Sequence, residues 1–214
     1  MKLSSIDLTD QCPIDPRFAF GKLADDAPMA LSDNVSPHLI WENAPPRTRS
    51  FAILCMDPDV PSEADDVNQE GRVLPADMPR ADFCHWVMTD IPPDVTELQT
   101  GQCSDGVTPG GKKNPPGPAG ARQGLNDYTG FLAGDADMAG QYFGYDGPCP
   151  PWNDERVHRY IFTVYALDVE HLELADDFTA SDALKIMQGH VLAEASLTGT
   201  YTLNPSVKNR ESAQ

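Results

Sequence analysis

The stretch HRYIFTVYALD, residues 158–168, decides the fold class. Its β-branched and aromatic content marks a strand. Beyond Tyr160 both alternating faces are apolar, with Phe162, Val164 and Ala166 on one and Ile161, Tyr165 and Leu167 on the other. A strand of that kind belongs in the middle of a sheet covered on both sides. Working outward, FAILCMD (51–57) and FCHWVMTDI (83–91) are the other strong strand candidates. Twenty prolines and 16 glycines cut the remaining sequence into short segments, the look of a mainly β chain with many turns. One amphipathic helix is expected over 182–195, where Leu184, Met187, Val191 and Ala195 recur at helical spacing behind a Ser181 N-cap and a first-turn Asp182. A short strand over 197–203 follows, and the residues from Asn204 onward are expected to fray.

The 214 residues suit a single domain spanning 1–214, with loop insertions near 62–82 and 101–146. The stretch 63–81 is acidic and polar, and GQCSDGVTPGGKKNPPGPAGARQG (101–124) holds too much Gly and Pro for a regular ladder, so both are expected as surface loops. Thirty-three acidic against 15 basic residues give a net charge of −18, which repels a phosphate backbone and argues against nucleic acid as a partner. No apolar run is long enough for stable membrane insertion, and the start, MKLSSIDLTDQCP, lacks the apolar core of a secretory leader. Five cysteines form no CxxC pair and, being odd in number, cannot all pair within one chain. Reduced thiols in a cytoplasmic protein are the expectation.

Candidate site residues cluster at strand ends. Asp57-Pro58-Asp59-Val60-Pro61 closes the first strand with two carboxylates held between prolines. A tight turn returning both acids toward a pocket would carry a cis Val60–Pro61 bond. His85 falls, by alternation, on one face with Phe83, Val87, Thr89 and Ile91. His158 opens the central strand after the stiff rim Gly147-Pro148-Cys149-Pro150-Pro151-Trp152, and Tyr160 shares its face. Imidazoles, a phenol and nearby carboxylates at one spot would hold a phosphate or carboxylate through N–H and O–H donors. The same groups permit a second chemistry, a metal-dependent enzyme with a two-histidine, one-carboxylate site. No paired Cys/His spacing of a structural zinc site is present, and no cofactor or metal is expected.

Together DPDVP (57–61), HWV (85–87), GPCPP (147–151) and HRYIFTVYALD resemble the phosphatidylethanolamine-binding protein family, which includes the Raf kinase inhibitor protein; the bacterial and archaeal branch is the nearest fit. SPHLIW (36–41), GARQGLNDY (120–128) and HVLAEASLTGTY (190–201) extend the likeness over about residues 15–203. The resemblance implies a β-sandwich with a large central antiparallel sheet, a smaller second sheet and a C-terminal helix. It also implies a non-enzymatic pocket for phosphate-like or phosphorylethanolamine-like small anions. Asp57, Asp59 and Pro61 match the family's DPDxP element, His85 its pocket histidine, Gly147 and Pro150 its GPxPP element, and His158 and Tyr160 its HRY element. On this reading His85, His158 and Tyr160 donate to the ligand, while Asp57 orients a histidine or accepts from a ligand amine. A homodimer or a regulated protein partner is compatible with it. The segments 62–84 and 129–146 are longer here than in short bacterial members.

Overall fold

The computed structural model describes residues 1–207. In chain order the strands are β1 (Lys2–Ser4), β2 (Cys12–Pro13), β3 (Gly21–Lys22), β4 (Ala30–Leu31), β5 (Leu39–Glu42), β6 (Ser50–Pro61), β7 (Arg80–Ile91), β8 (Glu97–Leu98), β9 (Arg122–Gln123), β10 (His158–Leu167) and β11 (Val191–Tyr201). Two α-helices, α1 (Tyr128–Phe131) and α2 (Ala180–Met187), complete the described framework. The six-stranded sheet runs β2-β11-β10-β6-β7-β9, and a three-stranded sheet runs β1-β5-β8. Ladders are antiparallel except where the two-residue β2 joins β11 in parallel at the edge.

β10 lies in the middle of the large sheet, as its two apolar faces require. On one side Phe162, Val164 and Ala166 pack with Ile53, Cys55, Trp86 and Met88 against Leu39 and Trp41 of the small sheet. Trp41 meets Phe51 edge-on across that interface, with ring centroids 5.5 Å apart. On the other side Ala52, Leu54, Val87 and Leu167 pack against Ala180, Ala183 and Met187 of α2. The sandwich expected from the sequence is therefore present, with the helix covering the outer face of the sheet. Among the described residues no helix is long and apolar enough to cross a membrane.

Several local expectations are corrected. The helix begins at Ala180, and its N-cap is Thr179, whose side chain accepts from the Asp182 amide while Asp182 reaches back to the Thr179 amide, a capping box. It stops after Met187, where Gly189 adopts φ +85°, and residues 191–201 pair along the whole of β10. Val191 and Ala195, read as helical, belong to a strand because the ladder with β10 outweighs local propensity. The 204–207 stretch is tied down, with the Asn204 side chain donating to the Asp154 carbonyl and Val207 buried; 208–214 lie outside the described residues.

The Val60–Pro61 bond is trans, since no cis peptide occurs among the described residues. β6 does not turn there: Val60 and Pro61 pair with Ala81 and Arg80, and a register shift between Asp57 and Val60 absorbs the change of direction. β7 also departs from simple alternation. Cys55 faces Trp86 and Met56 faces Cys84, which leaves His85 unopposed in a β-bulge. The bulge puts His85 and Trp86 on the same side of the sheet, while Val87 faces the helix. The expected grouping of His85 with Val87 is thus wrong. Both inserted segments lie mainly at the surface, but Leu74, Cys103 and Ser104 turn inward from them.

Candidate functional site

The far end of β6, the middle of β7 and the start of β10 meet at one end of the large sheet. There Asp57, fully buried, accepts from His158 Nδ1 at 2.7 Å. The second ring nitrogen, Nε2, donates to Asp154 at 3.1 Å. Two donations require an imidazolium. Burial works against that charge, but the hydrogen bonds from Asp154 and Asp57 win and raise the His158 pKa to about 9. Arg80 clamps the outer side of Asp154 through both guanidinium nitrogens, at 2.5 and 3.0 Å. Asp59 is held separately by Arg159 at 2.8 Å and Arg156 at 2.7 Å. Burial pushes the Asp59 and Asp154 carboxyls up, but those basic partners hold both below the usual carboxylate range. These three aspartates are therefore matched by three arginines and a protonated histidine.

In front of this network lies a cavity of about 90 Å³, lined by Asp57, His85, Tyr128, Tyr160 and Asn68 among apolar groups that include Pro61, Phe83, Phe131 and Pro150. That is space for about three waters or one small tetrahedral ion. His85 is oriented from behind, where its Nδ1 lies 2.8 Å from the Asp146 carbonyl. A carbonyl only accepts, so Nδ1 carries the hydrogen and Nε2 of the neutral ring has a lone pair. Among the described residues nothing bonds that Nε2. Burial pushes the His85 pKa below its ordinary value, ahead of the opposing pull of Asp57 and the Asp146 carbonyl. The Tyr160 hydroxyl on the same cavity is buried with no hydrogen-bond partner. Such an orphan is costly unless something visits it. Tyr128 spends its hydroxyl hydrogen on the Gly147 carbonyl at 2.8 Å.

Of the residues singled out in the sequence, Asp57, Pro61, His85, Pro150 and Tyr160 line the cavity. Asp59, Gly147 and His158 stand behind it. His158 has no nitrogen left for a ligand and acts through Asp57. Gly147 is needed for close approach, because a Cβ there would sit 2.0 Å from the Phe18 carbonyl oxygen. Asp57 and His158 converge as expected, and His85 joins Asp57 on the cavity wall.

Sequence reasoning missed Asp154, Arg80, Tyr128 and Asp146. Asp154 carried a usable signal, lying four residues before His158 in WNDERVH. Asp146 carried none: it is buried, takes hydrogen bonds from Asn34, Asn126 and Lys112, and brackets His85 with its own amide and carbonyl. The inserted loop 62–79 supplies one cavity wall through Ala64, Val67 and Asn68. It is fastened to the rim where the Trp152 amide donates to the Asn68 side chain and the Asn68 amide to Asn153.

A family model described as phosphatidylethanolamine-binding protein matches residues 4–202. A UPF0098 protein of Methanothermobacter thermautotrophicus is 37% identical over 79% of this chain and 83% of its own. The UPF0098 protein YbhB of Escherichia coli is 31% identical over 94% of this chain and 100% of its own. Among solved structures, Escherichia coli YbcL, described as a member of the mammalian family of that name, superposes with a TM-score of 0.68 at 24% identity, covering 94% of this chain and 97% of that one. A Chlamydia trachomatis homologue superposes with a TM-score of 0.62 at 26% identity, covering 94% and 95%.

Proposed function

The chain belongs to the phosphatidylethanolamine-binding protein family, and from that premise we propose that it is a non-enzymatic binding protein for small phosphate-like anions, phosphorylethanolamine-like head groups among them. The observation that carries the reading is the pairing of an orphaned Tyr160 hydroxyl with the open Nε2 of His85 on one small cavity. Tyr160 offers an O–H to an anion at any ordinary pH, since burial raises its pKa well above the tyrosine range. His85 offers an N–H only once protonated. Asp57 keeps spare lone pairs beside the cavity, because each oxygen accepts only one bond, from His158 and from the Asp59 amide. A zwitterionic head group can therefore place its phosphate on Tyr160 and His85 and its ammonium on Asp57.

The metal-dependent alternative needs both histidines open toward one point, and both nitrogens of His158 are already engaged. Five unpaired cysteines suit a reducing cytoplasm, where a regulated partner protein or a second copy would read the liganded state. The test is calorimetric titration with inorganic phosphate and with phosphorylethanolamine across the histidine pH range. Binding should tighten as pH falls, by up to about tenfold per pH unit above the His85 pKa. His85→Ala should flatten that dependence. Equal binding by wild type, His85→Ala and Tyr160→Phe at every pH would remove the site.

A further inference from the structure

The inserted loop 62–79 gives the cavity wall Ala64, Val67 and Asn68, two apolar residues and one polar. The Asn68 side chain is held in a single orientation. The Trp152 amide donates to it at 3.0 Å, which only its oxygen can accept, so Oδ1 faces Trp152 and Nδ2 lies on the other branch. The backbone is fixed as well. The Asn68 amide donates to Asn153 Oδ1 at 3.0 Å, and the Asn153 side chain in turn donates to the Asp66 carbonyl at 2.9 Å. Asn68 adopts φ +57°, in the left-handed region that asparagine and aspartate tolerate and most other side chains avoid. Fastening the loop to the rim thus uses Oδ1 and the backbone amide. The two Nδ2 hydrogens are left with no hydrogen-bond partner among the described residues.

The rest of the wall shows what those hydrogens are for. His85 and Tyr160 stand together on the sheet, with ring centroids 5.0 Å apart. The Tyr128 hydroxyl is spent on the Gly147 carbonyl, and Pro61, Pro150 and Pro151 carry no N–H. A tetrahedral anion held by His85 and Tyr160 alone would turn its remaining oxygens toward apolar groups, and a charge stripped of water without donors is costly to bury. Resting on the anion-pocket reading, we infer that Asn68 is a further ligand-binding residue, the donor by which the inserted loop closes the pocket over a phosphate-like anion. The loop is then part of the binding site and not a cover laid over it. Because Nδ2 is positioned by the bond that Oδ1 already makes, the donor is set before the ligand arrives and costs little to order on binding.

The experiment is calorimetric titration with inorganic phosphate at one fixed pH, comparing wild type with Asn68→Asp and Asn68→Ala. Asn68→Asp is nearly isosteric, keeps an oxygen for the Trp152 amide and suits the same backbone angle, but it replaces the donor by a negatively charged acceptor. Phosphate binding should fall by about tenfold to a hundredfold, the worth of a hydrogen bond to a charged partner, while the melting curve and the rate of proteolysis in loop 62–79 stay as in wild type. Asn68→Ala should lose affinity by a similar factor and, having lost the fastening oxygen, should also be cut sooner in that loop. In the wild type the Asn68 side-chain amide signals, identified by their absence from the spectra of both variants, should move downfield as phosphate saturates the protein. Those signals decide the matter even if Asn68→Asp loosens the loop. If Asn68→Asp binds phosphate as wild type does, or the amide signals stay unmoved at saturation, Asn68 only fastens the loop, and the inference fails while the pocket of His85 and Tyr160 stands. If the wild type binds no phosphate, the pocket reading falls and this inference falls with it.

Discussion

His158 offers the sharpest quantitative handle on this molecule. It is fully buried and sandwiched between Asp57 and Asp154, and its pKa rises to about 9 against an ordinary 6.5. A group whose folded pKa is raised contributes stability that is complete below the unfolded pKa and is lost as pH climbs to the folded one. Between about pH 6.5 and 9 the unfolded chain releases this proton and the native protein keeps it. The loss integrates to about 3 kcal/mol, from roughly 1.4 kcal/mol per pH unit. The perturbation is His158→Gln, and the assay is urea unfolding of both proteins from about pH 6 to about pH 9.5. Cys55, Cys84, Cys103 and Cys149, whose burial pushes their thiols up, also weaken the fold at alkaline pH. They are common to both proteins and cancel in the difference. The variant should be less stable at pH 6 and should show a shallower alkaline decline. A wild-type curve flat over this window, or one parallel to the variant's, would refute the imidazolium assignment.

Two further outcomes follow from the same network. Tyr160→Phe removes a buried hydroxyl that has no hydrogen-bond partner, so denaturant unfolding should show a stability change of less than about 1 kcal/mol or a gain, while calorimetry shows weakened phosphate binding. Arg80→Met leaves Asp154 with His158 and the Arg156 amide and releases the Pro75 and Asp59 carbonyls; denaturant titration should show a loss of about 3 kcal/mol, and limited proteolysis should cut loop 62–79 sooner.

The two apolar faces of 158–168 and the turn-rich remainder made the central strand and the β class legible without coordinates, because burial on both sides of a sheet leaves a local imprint on every residue of the strand. Asp57 and Tyr160 were legible as candidate site residues because their motifs sit at strand ends, and His85 because an imidazole on a core-facing strand needs a partner. The bulge at His85 was not legible. It depends on Cys55 and Met56 pairing across β7 with one residue left over, and no property of FCHWVMTDI announces the skip. The start of α2 was misplaced by two residues and its end by eight, since a chain with helical spacing at Val191 and Ala195 was claimed by the edge of β10. The role of His158 likewise belonged to tertiary structure alone. A histidine opening a strand after a stiff proline rim reads as a donor to a ligand, but whether its second nitrogen faces a cavity or Asp154 is settled by where the chain from Trp152 to His158 folds back. Sequence specifies which groups are available at a strand end; only packing decides which of their lone pairs and hydrogens are already spent.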